Sequence, residues 1–144
     1  MARARRRAQR AAAGLVVLAV VLASSCVDQL PDQDLRILAA TPVERLSATL
    51  LWDDYQKDAA DADRRYRGKA IVVTGLATEV GSGDPGQRFV RFVVADKKGA
   101  VRANLLDEQA SSILAAAKEA SRVTLKCFCE GLGGDLILKS CVTP

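Results

Sequence analysis

The pattern of hydrophobic and polar positions changes character several times along the chain. An arginine-rich start, Arg3, Arg5, Arg6, Arg7 and Arg10, leads into an apolar run from Ala11 to Ala23. Residues 27–42 are polar, hold two prolines and show no sustained period, which predicts a tether. Thr41-Pro42 with Glu44 then has the form of a helix start, with Thr at the cap, Pro at the first helical position and an acid in the first turn. The predicted helix carries an apolar stripe of Ala48, Trp52, Tyr55, Ala59, Ala62 and Tyr66. Asp53, Asp54, Lys57, Asp58, Asp61, Arg64 and Arg65 fill its other face. Interleaved charge of this kind is a solvated helix face rather than a calcium or acid-base site, and the aromatic stripe is its packing face.

After Gly68 the period falls to two. Lys69–Val80 predicts a strand interrupted at Gly75 by a bulge or sharp coil, and Gly81–Gly86 a loop. Arg88–Asp96 predicts a second strand, with Val90, Phe92 and Val94 on one face and Phe89, Arg91 and Val93 on the other. A turn at Asp96–Gly99 precedes a third strand, Val101–Leu105, on which Arg102 and Asn104 face out. Asp107–Ala120 predicts a helix with Asp107 near its cap and Ala110, Ile113, Leu114 and Ala117 inward. Val123–Cys129 and Leu136–Val142 close the series as two strands joined by the Gly-rich segment Glu130–Asp135. Five strands with a helix between the third and fourth is the order of an OB-fold, a mainly β, partly open Greek-key barrel. The organisation expected is therefore residues 1–26 as a signal, 27–42 as a linker and 43–144 as the OB domain with its N-terminal helix.

The N-terminal pattern alters the reading of charge. A positive segment, a short apolar run and small residues form a bacterial export signal. Ala11–Ser25 is 15 residues long, short of the ~20 that a membrane-crossing helix needs. Leu22-Ala23-Ser24-Ser25-Cys26 resembles a lipobox, with Ala23 where Leu is preferred, and makes Cys26 the candidate lipidated residue. Plain cleavage and an uncleaved anchor stay open beside it; each places the remainder outside the cytoplasm, attached to or released near the membrane. The whole chain has a net charge of +4, yet beyond residue 26 it holds 16 basic against 17 acidic residues. The basic excess thus belongs to targeting, and the mature part lacks the positive footprint of a nucleic-acid binder.

Leu50-Leu51-x-x-x-Tyr55, Ala62-Asp63-x-x-Tyr66-x-Gly68-Lys69, Val73-Thr74-Gly75, Cys129-x-Gly131 and Asp135-Leu136-x-Leu138-x-x-Cys141 resemble the tRNA_anti-like OB-fold family of bacterial exported proteins and lipoproteins. The likeness spans about Ser47–Val142 and implies an OB barrel with a helix packed against it. It implies no particular activity, because one fold hosts many functions.

Three cysteines follow Cys26, and in an oxidising compartment an odd number suggests one disulfide and one free thiol. The resemblance implies a Cys129–Cys141 disulfide. Alternation argues against it in part, since Cys127 and Cys129 share a face while Cys141 falls in phase with Lys139, so the pairing needs a bulge or a long, open hairpin; Cys127–Cys141 is the fallback. A zinc site built from the three thiolates lacks a fourth ligand, and no metal or other cofactor is expected.

Chemistry has few other carriers. The chain contains no His, the commonest general base, and Gly81–Gly86 is not followed by the Lys-Ser/Thr pair and helix of a phosphate-binding loop. An enzyme is not expected, and the only reactive group left for one is a free thiol, with Cys127 the candidate. The candidate binding face is the outer side of strands two and three, Phe89, Arg91, Arg102 and Asn104. The reading that results is an exported, membrane-attached, non-catalytic module that binds an envelope protein or a small polar ligand. Nucleic-acid binding is the alternative.

Overall fold

The computed structural model describes residues 33–83, 86–94, 99–117 and 121–144. The export signal, the lipobox-like stretch with Cys26, and most of the predicted Asp96–Gly99 turn lie outside them. Five strands close on themselves: β2 (Ala70–Ser82), β3 (Arg88–Phe92), β4 (Val101–Leu105), β5 (Arg122–Gly133) and β6 (Asp135–Val142) run in the order β2-β3-β4-β6-β5, and β5 pairs back onto β2. The β4–β6 pair is parallel and the other barrel pairs are antiparallel, which is the OB-fold arrangement expected from the strand order.

Two helices stand where one is predicted. Strand β1 (Glu44–Ser47) comes first and lies parallel to β2, pairing Glu44 with Ile71 and Ser47 with Thr74, so no helix begins at Thr41-Pro42. Helix α1 (Ala48–Lys57) begins instead where the Ser47 hydroxyl accepts the Leu50 N–H at 3.0 Å. Asp58 ends it in extended backbone and at once caps α2 (Ala59–Tyr66), its carboxylate accepting the Asp61 N–H at 2.9 Å. Ala48, Trp52, Tyr55, Ala62 and Tyr66 are buried as the stripe requires, but the break at Asp58 turns Ala59 to solvent and Leu51 fills the core instead. Helix α3 (Asp107–Ala116) follows β4, with Ala110, Ile113 and Ala117 inward.

Strand β2 must bend to serve both halves of the barrel. Residues 70–76 pair with β5 and 77–82 with β3, and the register shift lies between Ala77 and Glu79 rather than at Gly75. Gly75 answers a steric demand instead, since a Cβ there would lie 2.8 Å from the Phe92 ring and 3.0 Å from Ala48 Cβ. The absence of a side chain lets Phe92, fully buried, cross beneath the bend.

The cysteine pairing follows from a second irregularity. Lys126 faces Val142 and Phe128 faces Lys139, so Ser140 and Cys141 together oppose Cys127. Ser140 takes a positive φ of 54°, and Ser140, Cys141 and Val142 are all buried in succession. The alternation of β6 is rephased at that point, Cys141 turns inward, and the disulfide forms between Cys127 and Cys141, with Cα atoms 4.3 Å apart. This corrects the pairing of Cys129 with Cys141: Cys129 faces Leu138 across the ladder and remains a buried free thiol. The Gly-rich segment is not an open loop either, since β5 continues through Gly131–Leu132 to Gly133, opposite Asp135.

The predicted tether is, from Gln33 onward, part of the fold. A 3₁₀ turn, Leu35–Leu38, lies across β5 and β6 and puts Ile37, fully buried, into a small second core with Ala70, Leu106 and Val142. The Asp34 N–H donates to Ser140 Oγ at 2.8 Å, and Gln33 Oε1 accepts the Asp107 N–H at 2.7 Å, supplying the cap that α3 lacks locally. Lys126 Nζ donates to the carbonyls of Leu38 and Ala40, both at 3.2 Å. Polar composition hid this strap because its single anchoring residue, Ile37, has no periodic partner. Ile37→Ala is expected to lower unfolding stability by about 2–5 kcal/mol in urea titrations, whereas Leu35→Ala at an exposed position shifts it by less than about 0.5 kcal/mol.

Candidate functional site

The four residues of the expected face do meet. Cross-strand register sets Phe89 opposite Asn104 and Arg91 opposite Arg102 on the outside of the β3–β4 pair. The Arg102 guanidinium lies 4.1 Å over the Phe89 ring, and its Nε donates to Asn104 Oδ1 at 3.0 Å. A Cβ at Gly83 would sit 2.7 Å from Arg102 Nη2, so the end of β2 closes over the arginine from above. Phe89 is consequently 6 % exposed although it belongs to the outer face. It is the floor of an arginine shelf rather than an open stacking platform.

Arg91 is held between two carboxylates, Asp135 Oδ2 at 2.9 Å and Glu79 Oε2 at 3.4 Å. Its Nε is buried and, among the described residues, has no hydrogen-bond partner. Arg88, on the opposite face of β3, reaches α3 and donates to Asp107 Oδ1 and Ser111 Oγ, both at 2.7 Å. Two arginines, Arg91 and Arg102, and two carboxylates, Glu79 and Asp135, therefore share the outer face, and the patch is close to neutral. Alternation along β3 and β4 identifies the arginines; it does not identify Glu79 and Asp135, which reach Arg91 through the β2 irregularity and the tight β5–β6 turn.

The motif residues Asp63, Tyr66, Gly68 and Lys69 form a latch between the helices and the barrel. Tyr66 Oη donates to Asp54 at 2.6 Å, Tyr55 Oη donates to Asp63 at 3.0 Å, and Tyr55 Oη lies 3.4 Å from Cys129 Sγ. The Gly68 N–H donates to the Cys129 carbonyl and the Cys129 N–H to the Lys69 carbonyl. Lys69 Nζ donates to the Arg64 carbonyl at 2.7 Å, at the C-terminal end of α2. Burial pushes both phenols above the ordinary tyrosine range, with Cys129 and Asp63 adding to the rise at Tyr55 and Asp54 at Tyr66. They stay protonated donors and act as pins.

Burial also raises the Cys129 thiol, against the lowering effect of its contact with Tyr55. Cys127, the reactive thiol considered from the sequence, is consumed in the disulfide. A three-thiolate metal site is closed for the same reason.

A family model described as tRNA_anti-like matches residues 1–142. The chain belongs to the tRNA_anti-like family. Among curated proteins none matches it. A crystal structure of a Klebsiella pneumoniae protein, described as a candidate nucleic acid-binding lipoprotein, is similar at a TM-score of 0.55 and 16 % identity, over 76 % of this chain and 95 % of that one. It supports the fold of this tRNA_anti-like chain. An OBody bound to hen egg-white lysozyme is similar at a TM-score of 0.40 and 18 % identity, over 52 % of this chain and 80 % of the other.

In a peptide map of the unreduced protein, Cys127 and Cys141 are expected in one linked pair. Cys129 is expected to take up iodoacetamide only after denaturant is added. A Cys129–Cys141 linkage, or alkylation of Cys129 in the folded protein, would contradict the assignment.

Proposed function

We propose that this tRNA_anti-like chain is an exported, lipid-anchored and non-catalytic binding module. Its β3–β4 face engages an envelope protein or a small polar ligand of mixed charge. Cys26 is the lipidated residue in this reading, and a disulfide inside the barrel suits a compartment outside the cytoplasm. The observation that carries the choice of ligand is the charge-paired face, on which Arg91 sits between Glu79 and Asp135. A polyanion would have to break those pairs or accept two carboxylates nearby, whereas a protein or zwitterionic ligand can exchange them partner for partner.

Nucleic-acid binding is the second reading. The Klebsiella protein's description and the Arg102–Phe89 stack favour it. Against it, single-strand binders stack bases on exposed aromatic rings, and the chain has six aromatic residues, of which Trp52, Tyr55, Tyr66, Phe89 and Phe92 are buried. Phe128, the sixth, lies on β5, away from the β3–β4 pair.

A photo-crosslinking residue at Thr78, exposed on β2 beside the face, is expected to trap a discrete envelope protein in living cells, and the adduct is expected to vanish with Arg91→Glu. The same probe at Gln56, on the solvent side of α1, serves as the control. Adducts of equal yield at both positions, or adducts indifferent to Arg91→Glu, would count against a protein partner at this face.

A further inference from the structure

A cleft of about 230 Å³ opens between the 3₁₀ turn and the β5–β6 hairpin, on a different side of the barrel from the β3–β4 face. Phe128 lines it, the only aromatic residue of the chain that is not buried, and Asp34, Arg36 and Lys139 border it. Leu35 and Leu38 on the adjoining turn are 56 % and 45 % exposed, so an apolar rim stands beside the two cations. The Arg36 side chain remains 87 % exposed although it binds Asp34 at 2.6 Å. Among the described residues Lys139 makes no ion pair.

The position of the cleft gives these features a direction. Asp34, on its border, lies eight positions after Cys26 in the chain. Cys26 precedes Gln33 by seven positions, a span of at most about 25 Å even when fully extended. A domain of this size is about 35 Å across. A lipid on Cys26 therefore cannot reach the membrane with the cleft on the far pole, because the tether is shorter than the body it would have to pass.

We propose that this pole is a docking surface for the anionic phospholipid headgroups of the membrane that holds the anchor. Lys139 and Arg36 meet lipid phosphates there, and Leu35 and Leu38 enter the headgroup layer. Asp34 cancels one of the two cations, so the tether and the apolar rim supply the orientation and charge supplies the lipid preference. The inference rests on the lipidation of Cys26 proposed above.

The test uses the full chain processed and purified from bacterial membranes, placed in nanodiscs of phosphatidylcholine alone or with phosphatidylglycerol added. Amine labelling followed by peptide mass spectrometry reads each lysine. Labelling of Lys139 is expected to slow by about fivefold with phosphatidylglycerol, while Lys57 on α1 is unchanged. Leu35→Asp with Leu38→Asp, at two exposed positions, is expected to abolish that protection while leaving the thermal midpoint in place. Equal labelling of Lys139 in both discs, or equal slowing at Lys57, overturns the inference while a diacylglyceryl mass on the Cys26 peptide leaves the anchor standing. A chain that leaves the discs with an unmodified Cys26 overturns the anchor, and the inference with it.

Discussion

The ladder between β2 and β5 sets Ala70–Leu76 against Phe128–Arg122 and turns a curved sheet into a barrel. Its interior side supplies Ile71, Val73, Leu125 and Cys127, all fully buried, and Thr74 and Thr124 join their hydroxyls across it at 2.9 Å. Closure imposes the other demands on the chain. Strand β2 must change partners midway, which requires Gly75 above Phe92 and the shifted register at Ala77–Glu79. Strand β5 must leave β2 with its own outer half free to pair β6, and the Cys127–Cys141 bond ties the two at the crossing. The helices dock through the same strand: Cys129, two residues beyond the disulfide, contacts Tyr55 by its side chain and Gly68 and Lys69 by its backbone.

The motif Asp63-x-x-Tyr66-x-Gly68-Lys69 is thereby explained as architecture. Each of its side chains or backbone groups bonds within the protein, and the tyrosines are held protonated by burial. The proposed binding chemistry lies at the β3–β4 face, where adjacent cross-strand pairs place a shelf of Arg102 on Phe89 next to Arg91 and its two acids. A shelf of this kind presents hydrogen-bonding edges without net charge, which favours specificity over long-range attraction.

What was legible in the sequence is what depends on near neighbours. Alternation over Arg88–Phe92 and Val101–Leu105 placed Phe89, Arg91, Arg102 and Asn104 on one face because a short hairpin-like pairing preserves phase. Features set by distant partners were hidden. Strand β1 is four residues with one buried side chain, Leu46, and exists only because β2 lies beside it. Asp58 reads as one more solvated acid until its two capping roles are seen. Ser140 shifts the phase of β6 through a positive φ that no hydrophobic pattern encodes, so parity pointed away from the bond that Cys141 makes. Glu79 and Asp135 reach Arg91 from opposite sides, one through an irregular strand and one through a turn.

The proposed reading gives a chain with an OB barrel and a basic overall composition a neutral face that takes an envelope protein or a small polar ligand rather than nucleic acid. Fluorescence anisotropy of labelled single-stranded DNA against the protein lacking its first 26 residues measures it most directly. At physiological salt the account expects no saturable binding, and at low salt only weak association that added salt removes. Saturable binding tighter than about 1 µM at physiological salt, lost on Arg102→Ala, would contradict it.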